Sequence, residues 1–226
     1  MSNTDSFIDE VNDEVRRDRL YGYLRRYGWI AVLAIVLIVG AAGFNEYRKA
    51  QNEAAAQALG DAMLDALNDD APGDRAAALA EVRADTHESQ AVLALLQAGA
   101  FADAGDTEAA VAALEQVQNA ADAPLIYRQI ATFRALLLQS DTLDIETRRA
   151  GFDALAVPGV PFRLLAEEQL ALIDVETGDV AAALDRLRPL LDDAEASAGL
   201  QRRALQAIVA LGGTLAEDDT DAAAEN

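Results

Sequence analysis

His87 is the one histidine of this chain and Lys49 its one lysine, and there is no cysteine. A lone imidazole can build neither a two-histidine zinc site nor a serine–histidine–aspartate arrangement with a spare base. In the polar stretch Asp85–Ser89, His87 is expected to be an ordinary loop residue. No glycine-rich loop precedes Lys49, which removes a Walker-type phosphate cradle. Without cysteine, a disulfide framework and a thiolate-held metal are excluded. The carboxylate pairs Asp69–Asp70, Glu167–Glu168 and Asp192–Asp193 could in principle do acid–base work or hold calcium. Adjacent residues on a helix point about 100° apart, however, and none of these pairs sits in an oxygen-rich loop. They are predicted to be solvated faces, so an enzyme, a cofactor and a small-molecule substrate are not expected.

Two glycine–aspartate pairs carry a different signal. Ala98 lies seven residues before Gly105, and Ala110, Val111 and Leu114 lie five, six and nine after it. Around Gly178 the same offsets give Ala171, Ala183, Leu184 and Leu187. Glycine tolerates the left-handed conformation that ends a helix, and the next residue, Asp106 or Asp179, can cap the following helix by accepting its free N–H groups. Alanines let antiparallel helices approach closely, while Val111, Leu114 and Val117, or Leu184, Leu187 and Leu190, fill the seam. The spacing predicts two helix–turn–helix hairpins.

These hairpins belong to a chain built for helices. Hydrophobic residues make up 52% but aromatics only 5%, so much of the apolar content is alanine, the strongest helix former. Apolar residues recur at three and four rather than at two, and an all-α fold is predicted. The net charge of −21 would repel nucleic acid. Residues 1 to 50 balance seven basic against seven acidic side chains, so the whole excess lies beyond them, as eleven arginines against thirty-two carboxylates.

From Tyr27 to Asn45 no residue is charged, and Trp29–Gly40 is almost wholly apolar. Such a helix rises roughly 28 Å, close to the hydrocarbon thickness of a bilayer. Tyr27 and Trp29 on one side and Phe44 and Tyr47 on the other sit where interfacial aromatics are favoured. The long charged stretch ahead of the run suits an uncleaved anchor better than a signal peptide. Five arginines precede the span, Arg16, Arg17, Arg19, Arg25 and Arg26, against Arg48 and Lys49 after it, which places the N-terminus in the cytoplasm. Phe7, Val11 and Val15, with Ile8, form an amphipathic pattern. That tail either lies along the membrane or a partner helix, or only orients the span. The expected organisation is a cytoplasmic tail (1–26), a transmembrane helix (27–45), a stalk helix (46–68), a hairpin-repeat domain (69–211) and a disordered acidic tail (212–226).

The hairpins resemble the tetratricopeptide repeat, whose units are about 34 residues. A degenerate unit fits between the two clear ones: Pro124 opens a helix to about Gln139, Ser140–Thr142 breaks it, and a second helix reaches about Leu155 before the loop Val157–Pro161. Two departures stand out. Where the repeat has a large aromatic early in its first helix the chain has Ala94 and Glu167, and where it has a later tyrosine the chain has Phe101 and Asp174. A last helix, Gly199–Leu211, is expected to cap the stack. Stacked hairpins present an inner face built from first helices, which nominates Gln90, Gln97, Tyr127, Arg128, Arg134, Arg163 and Glu167 for partner contact.

The order of parts resembles the YfgM-type ancillary subunits of the bacterial Sec translocon. The resemblance is carried by the tail Phe7–Arg19, by Arg25–Gly28, by Asn45–Tyr47, and by Pro161–Gln169 followed by Gly178–Asp179; this last stretch is similar to alphaproteobacterial members. It implies a bacterial inner-membrane protein with a periplasmic domain that associates with translocon subunits and with a periplasmic chaperone, assisting exported proteins. Two other readings stay open: a cytochrome c maturation factor, and a structural subunit of a respiratory or envelope complex.

Overall fold

The computed structural model describes the backbone of residues 3–213 and the side chains of residues 25–30 and 32–213. Every regular element among the described residues is a helix: α1 (Asn3–Leu67), α2 (Pro72–Glu81), α3 (His87–Asp103), α4 (Thr107–Asn119), α5 (Leu125–Leu138), α6 (Ile145–Asp153), α7 (Arg163–Glu176), α8 (Val180–Asp192) and α9 (Ala198–Ala210). The fold is all-α, as the composition predicts. The chain divides after Gly60 into two compact units.

The first unit is the bulk of α1. Its apolar run is long and apolar enough to cross a membrane, and none of that stretch is buried within the protein. Side chains at successive positions, such as Val36, Leu37, Ile38 and Val39, are exposed all round the helix. A helix apolar on every side and packed on nothing is what a lipid environment, rather than a protein core, would stabilise. The backbone of Phe7–Val15 is helical within α1, while the side chains of that pattern lie outside the described residues.

The second unit begins at Asp61, eight residues earlier than the boundary read from the Asp69–Gly73 breaker. The breaker does end the helix: α1 stops at Leu67, and Pro72 starts α2 at the position where its missing N–H costs nothing. Ahead of it, though, Met63 and Ala66 are already buried, so the last turns of α1 join the packed unit. Helix starts follow the capping residues. Asp106, Asp144, Asp179 and Ser197 each accept from a backbone N–H three residues on, and Thr86 with Ser89 forms a reciprocal capping box.

From α2 onward each helix packs on the next, and α3 also meets α5. The core runs through the unit as neighbouring clusters. One joins α3, α4 and α5 around Ala98, Leu114 and Ala131; another joins α5, α6 and α7 around Leu136, Phe152 and Leu170; a third joins α7, α8 and α9 around Ala171, Leu187 and Ile208. Alanines at Ala98, Ala110, Ala131, Ala171 and Ala183 have no exposed surface, which is how backbones come close enough for so alanine-rich a chain to exclude water.

Candidate protein-interaction site

The two glycine–aspartate turns have the same geometry. Gly105 has φ +80° and Gly178 φ +81°. The Asp106 N–H donates to the Phe101 carbonyl at 2.9 Å and the Asp179 N–H to that of Asp174 at 2.8 Å, while the N–H groups of Gly105 and Gly178 reach Ala102 and Val175. This is the paired closure of a Schellman ending. Each aspartate then accepts at 3.0 Å from a backbone N–H of the next helix, Ala109 or Ala182. One residue pair thus closes one helix and opens its antiparallel partner, twice.

The second hairpin replaces part of the apolar seam of the first with charge. Glu167 and Asp174 are two helical turns apart on one side of α7, and both reach Arg186 of α8, at 3.0 and 2.9 Å. In the register of the first hairpin these three positions are Ala94, Phe101 and Ala113. Asp174 is 3% exposed and also binds Arg149 of α6 at 2.6 Å. Burial opposes the charge of Arg186, yet its hydrogen bonds to Glu167 and Asp174 prevail and raise its pKa. The lattice extends outward: Arg148 of α6 grips both oxygens of Glu176, and Arg203 of α9 binds Glu168 in two-pronged fashion at 2.7 Å. The hydrogen bond to Glu168 raises the pKa of Arg203. The departures at Glu167 and Asp174 were visible in the sequence. Their seven-residue spacing, with Arg186 nineteen and twelve residues on, is the sequence signal of an ionic seam.

The nominated partner-face residues separate into two groups. Gln97 donates to the Leu79 carbonyl at 2.8 Å and Arg134 to the Leu95 carbonyl at 3.1 Å, so both tie neighbouring helices together. Arg163 joins Asp193 at 2.8 Å and Glu195 at 3.0 Å across to the α8–α9 loop. The hydrogen bond that Arg163 donates to Asp193, then the one it donates to Glu195, raises the Arg163 pKa, and Arg163 in turn lowers that of Asp193. Glu167 belongs to the seam described above, and Tyr127 packs against the α3–α4–α5 core. Gln90 is exposed and reaches only the Ala84 carbonyl, and Arg128, half-buried, has an Nε with no hydrogen-bond partner. These last two are the polar positions least committed to the fold. Of the anchor residues, Tyr27, Trp29 and Phe44 are all exposed on α1.

Open apolar side chains complete the site. At about 100° per residue, Ile126, Ile130 and Leu137 fall on one side of α5, away from Tyr127, Ala131 and Leu138, which face the core of α3 and α4. Ile126 and Leu137 remain more than a third exposed, as do Leu172 and Val175 on α7. In the sequence these residues carry no distinguishing signal, because an apolar side chain at helical spacing reads as core whether or not a neighbour covers it. Among the described residues no group of three or more histidine, aspartate or glutamate side chains could hold a metal ion.

Successive antiparallel helix pairs with glycine–aspartate turns, alanine seams and first helices that keep apolar residues open define a helical-repeat protein of the interaction-module class. The model of the tetratricopeptide repeat-like domain family matches residues 22–150, more than half of the chain, and the chain belongs to that family. No curated protein and no solved structure matches the chain. The matched residues take in the apolar run of α1 and the hairpins through most of α6, while the α7–α8 hairpin beyond them repeats the α3–α4 turn geometry.

Proposed function

We propose that this protein is a membrane-anchored binding subunit of the bacterial envelope: α1 crosses the inner membrane with its N-terminus in the cytoplasm, and the helical repeats stand in the periplasm. The span and the tail ahead of it contact subunits of the protein-export translocon, and the repeat unit contacts a periplasmic chaperone or newly exported clients. The observation that carries this reading is the extent of the family match, which begins before the apolar run and continues into the hairpins, so one family covers both the candidate span and the repeats. The arginine-rich flank before the span supports the orientation.

The contact surface of the repeat unit is the open side of its first helices, with Ile126, Ile130 and Leu137 on α5 and Leu172 and Val175 on α7, bordered by Gln90 and Arg128. Gln97, Arg134, Arg163 and Glu167 act behind that surface by holding the helices in place. Partners are protein segments with apolar side chains and basic flanks, since the surface around the repeats is strongly acidic.

The test is co-purification in mild detergent of the full chain, of residues 1–60 and of residues 61–226. Translocon subunits should follow the full chain and residues 1–60 but not residues 61–226, which should retain a periplasmic partner. Recovery of cytochrome-assembly or respiratory subunits in place of the translocon would overturn the proposal.

A further inference from the structure

A third glycine repeats the hairpin ending. Gly212, 34 residues after Gly178, has φ +75°, its N–H reaches the Val209 carbonyl, and the N–H of Gly213 reaches that of Ile208 at 2.9 Å. This is the closure seen after α3 and α7, spaced by one repeat length. By that register α9 is the first helix of a fourth hairpin. Leu205 then corresponds to Ala98 on α3 and Ala171 on α7. Both alanines have no exposed surface and are sealed by second helices, Ala98 with Leu114 and Val117 of α4, and Ala171 with Leu187 and Leu190 of α8.

On α9 that position is open. Leu205 is only half-buried, and Arg202, Leu205, Gln206 and Val209 line one side of the helix at spacings of three, four and seven, with Val209 63% exposed. The opposite side, Leu200, Ala204 and Ile208, is buried against α7 and α8. The residues that follow in the chain are poorly suited to seal the open side. In the register of α4 and α8 they would set Glu217 where Ala110 and Ala183 are buried, and Asp221 where Leu114 and Leu187 are buried.

We infer that the open side of α9 is a docking surface for an acidic amphipathic helix of a partner protein, which completes the fourth hairpin in trans. Its chemistry follows from the surface it would cover. An apolar seam meets Leu205 and Val209, and carboxylates meet Arg202, which has no ion-pair partner among the described residues. α9 carries two arginines and no carboxylate, and Arg203 is already paired with Glu168, so the charge left to match on its open side is that of Arg202, for which a basic helix or a second copy of α9 offers no carboxylate. This surface is separate from the open sides of α5 and α7.

A direct probe is a labelled peptide of residues 106–120 of this chain, an acidic helix that already seals α3 in the same register. Its fluorescence anisotropy is measured against the full-length protein in detergent. Saturable binding is expected, weakened at least about tenfold by Val209→Asp, which forces a carboxylate into the seam, and more modestly by Arg202→Glu. Both positions are exposed, so the helicity and melting of the variants should match the parent. Absence of saturable binding, or equal binding to the Val209→Asp variant, would overturn the inference. So would a tenfold or greater gain on deleting residues 214–226, which would make the chain's own C-terminal segment the occupant.

Discussion

At Gly105 and Gly178 nothing lies within 4 Å of where a Cβ would be, so a side chain there meets no neighbour and any penalty comes from the backbone alone. With φ near +80°, valine at either position should cost on the order of 1–2 kcal/mol, because a β-branched residue is disfavoured in the left-handed region. Urea unfolding of residues 61–226 measures this directly, and an unchanged midpoint for both variants would refute the turn's role. Asp193 tests electrostatics on the same scale. Its folded pKa lies below the ordinary aspartate value because Arg163, and then the Glu195 N–H, stabilise the carboxylate. The unfolded carboxyl therefore takes up its proton first on acidification. The stabilisation is whole above the ordinary aspartate pKa and is lost as pH falls through the lowered folded value. The gap in melting temperature between the parent and Asp193→Asn should be present at neutral pH and close in acid; a constant gap would contradict the assignment.

Among the elements, α7 distinguishes the two well-formed hairpins, since charge there occupies positions that α3 and α4 fill with Ala94, Phe101 and Ala113. Asp174→Ala should destabilise by about 3 kcal/mol, the low end for a broken buried pair, because Arg149 and Arg186 remain about one-third exposed and can turn to water. Transplanting the first hairpin's residues together, as Glu167→Ala, Asp174→Phe and Arg186→Ala, should cost less than Asp174→Ala alone. Thermal melts of the two variants decide this, and a triple variant less stable than the single one would refute the equivalence of the positions. The hairpins were legible in the sequence because glycine, aspartate and alanine act through local backbone geometry at fixed offsets. The ionic seam beyond Arg186 was not, because Arg148, Arg149 and Arg203 are brought to α7 by packing across 25 to 35 residues. For the same reason the polar residues chosen as a partner face include several, such as Gln97 and Arg134, whose hydrogen bonds are spent between helices.

Over the whole molecule, two kinds of surface need different solvents. Among the described residues none of the apolar run of α1 is buried, whereas the repeat unit buries its alanines and leucines and surrounds them with carboxylates. The uncharged stretch was plain from composition, because a bilayer demands length and apolarity more than any particular residue. The start of the packed unit at Asp61 was not, since Met63 and Ala66 read as one more stretch of exposed helix until their neighbours are known. The proposed arrangement joins the two halves across a membrane, and the absence of cysteine makes it open to a clean test. Single cysteines introduced by Ser2→Cys in the tail and by Ser140→Cys at an exposed position after α5 can be challenged in intact bacteria with a maleimide that does not cross the inner membrane. The account predicts labelling of Ser140→Cys before lysis and of Ser2→Cys only after the inner membrane is opened; labelling in the reverse order would contradict it.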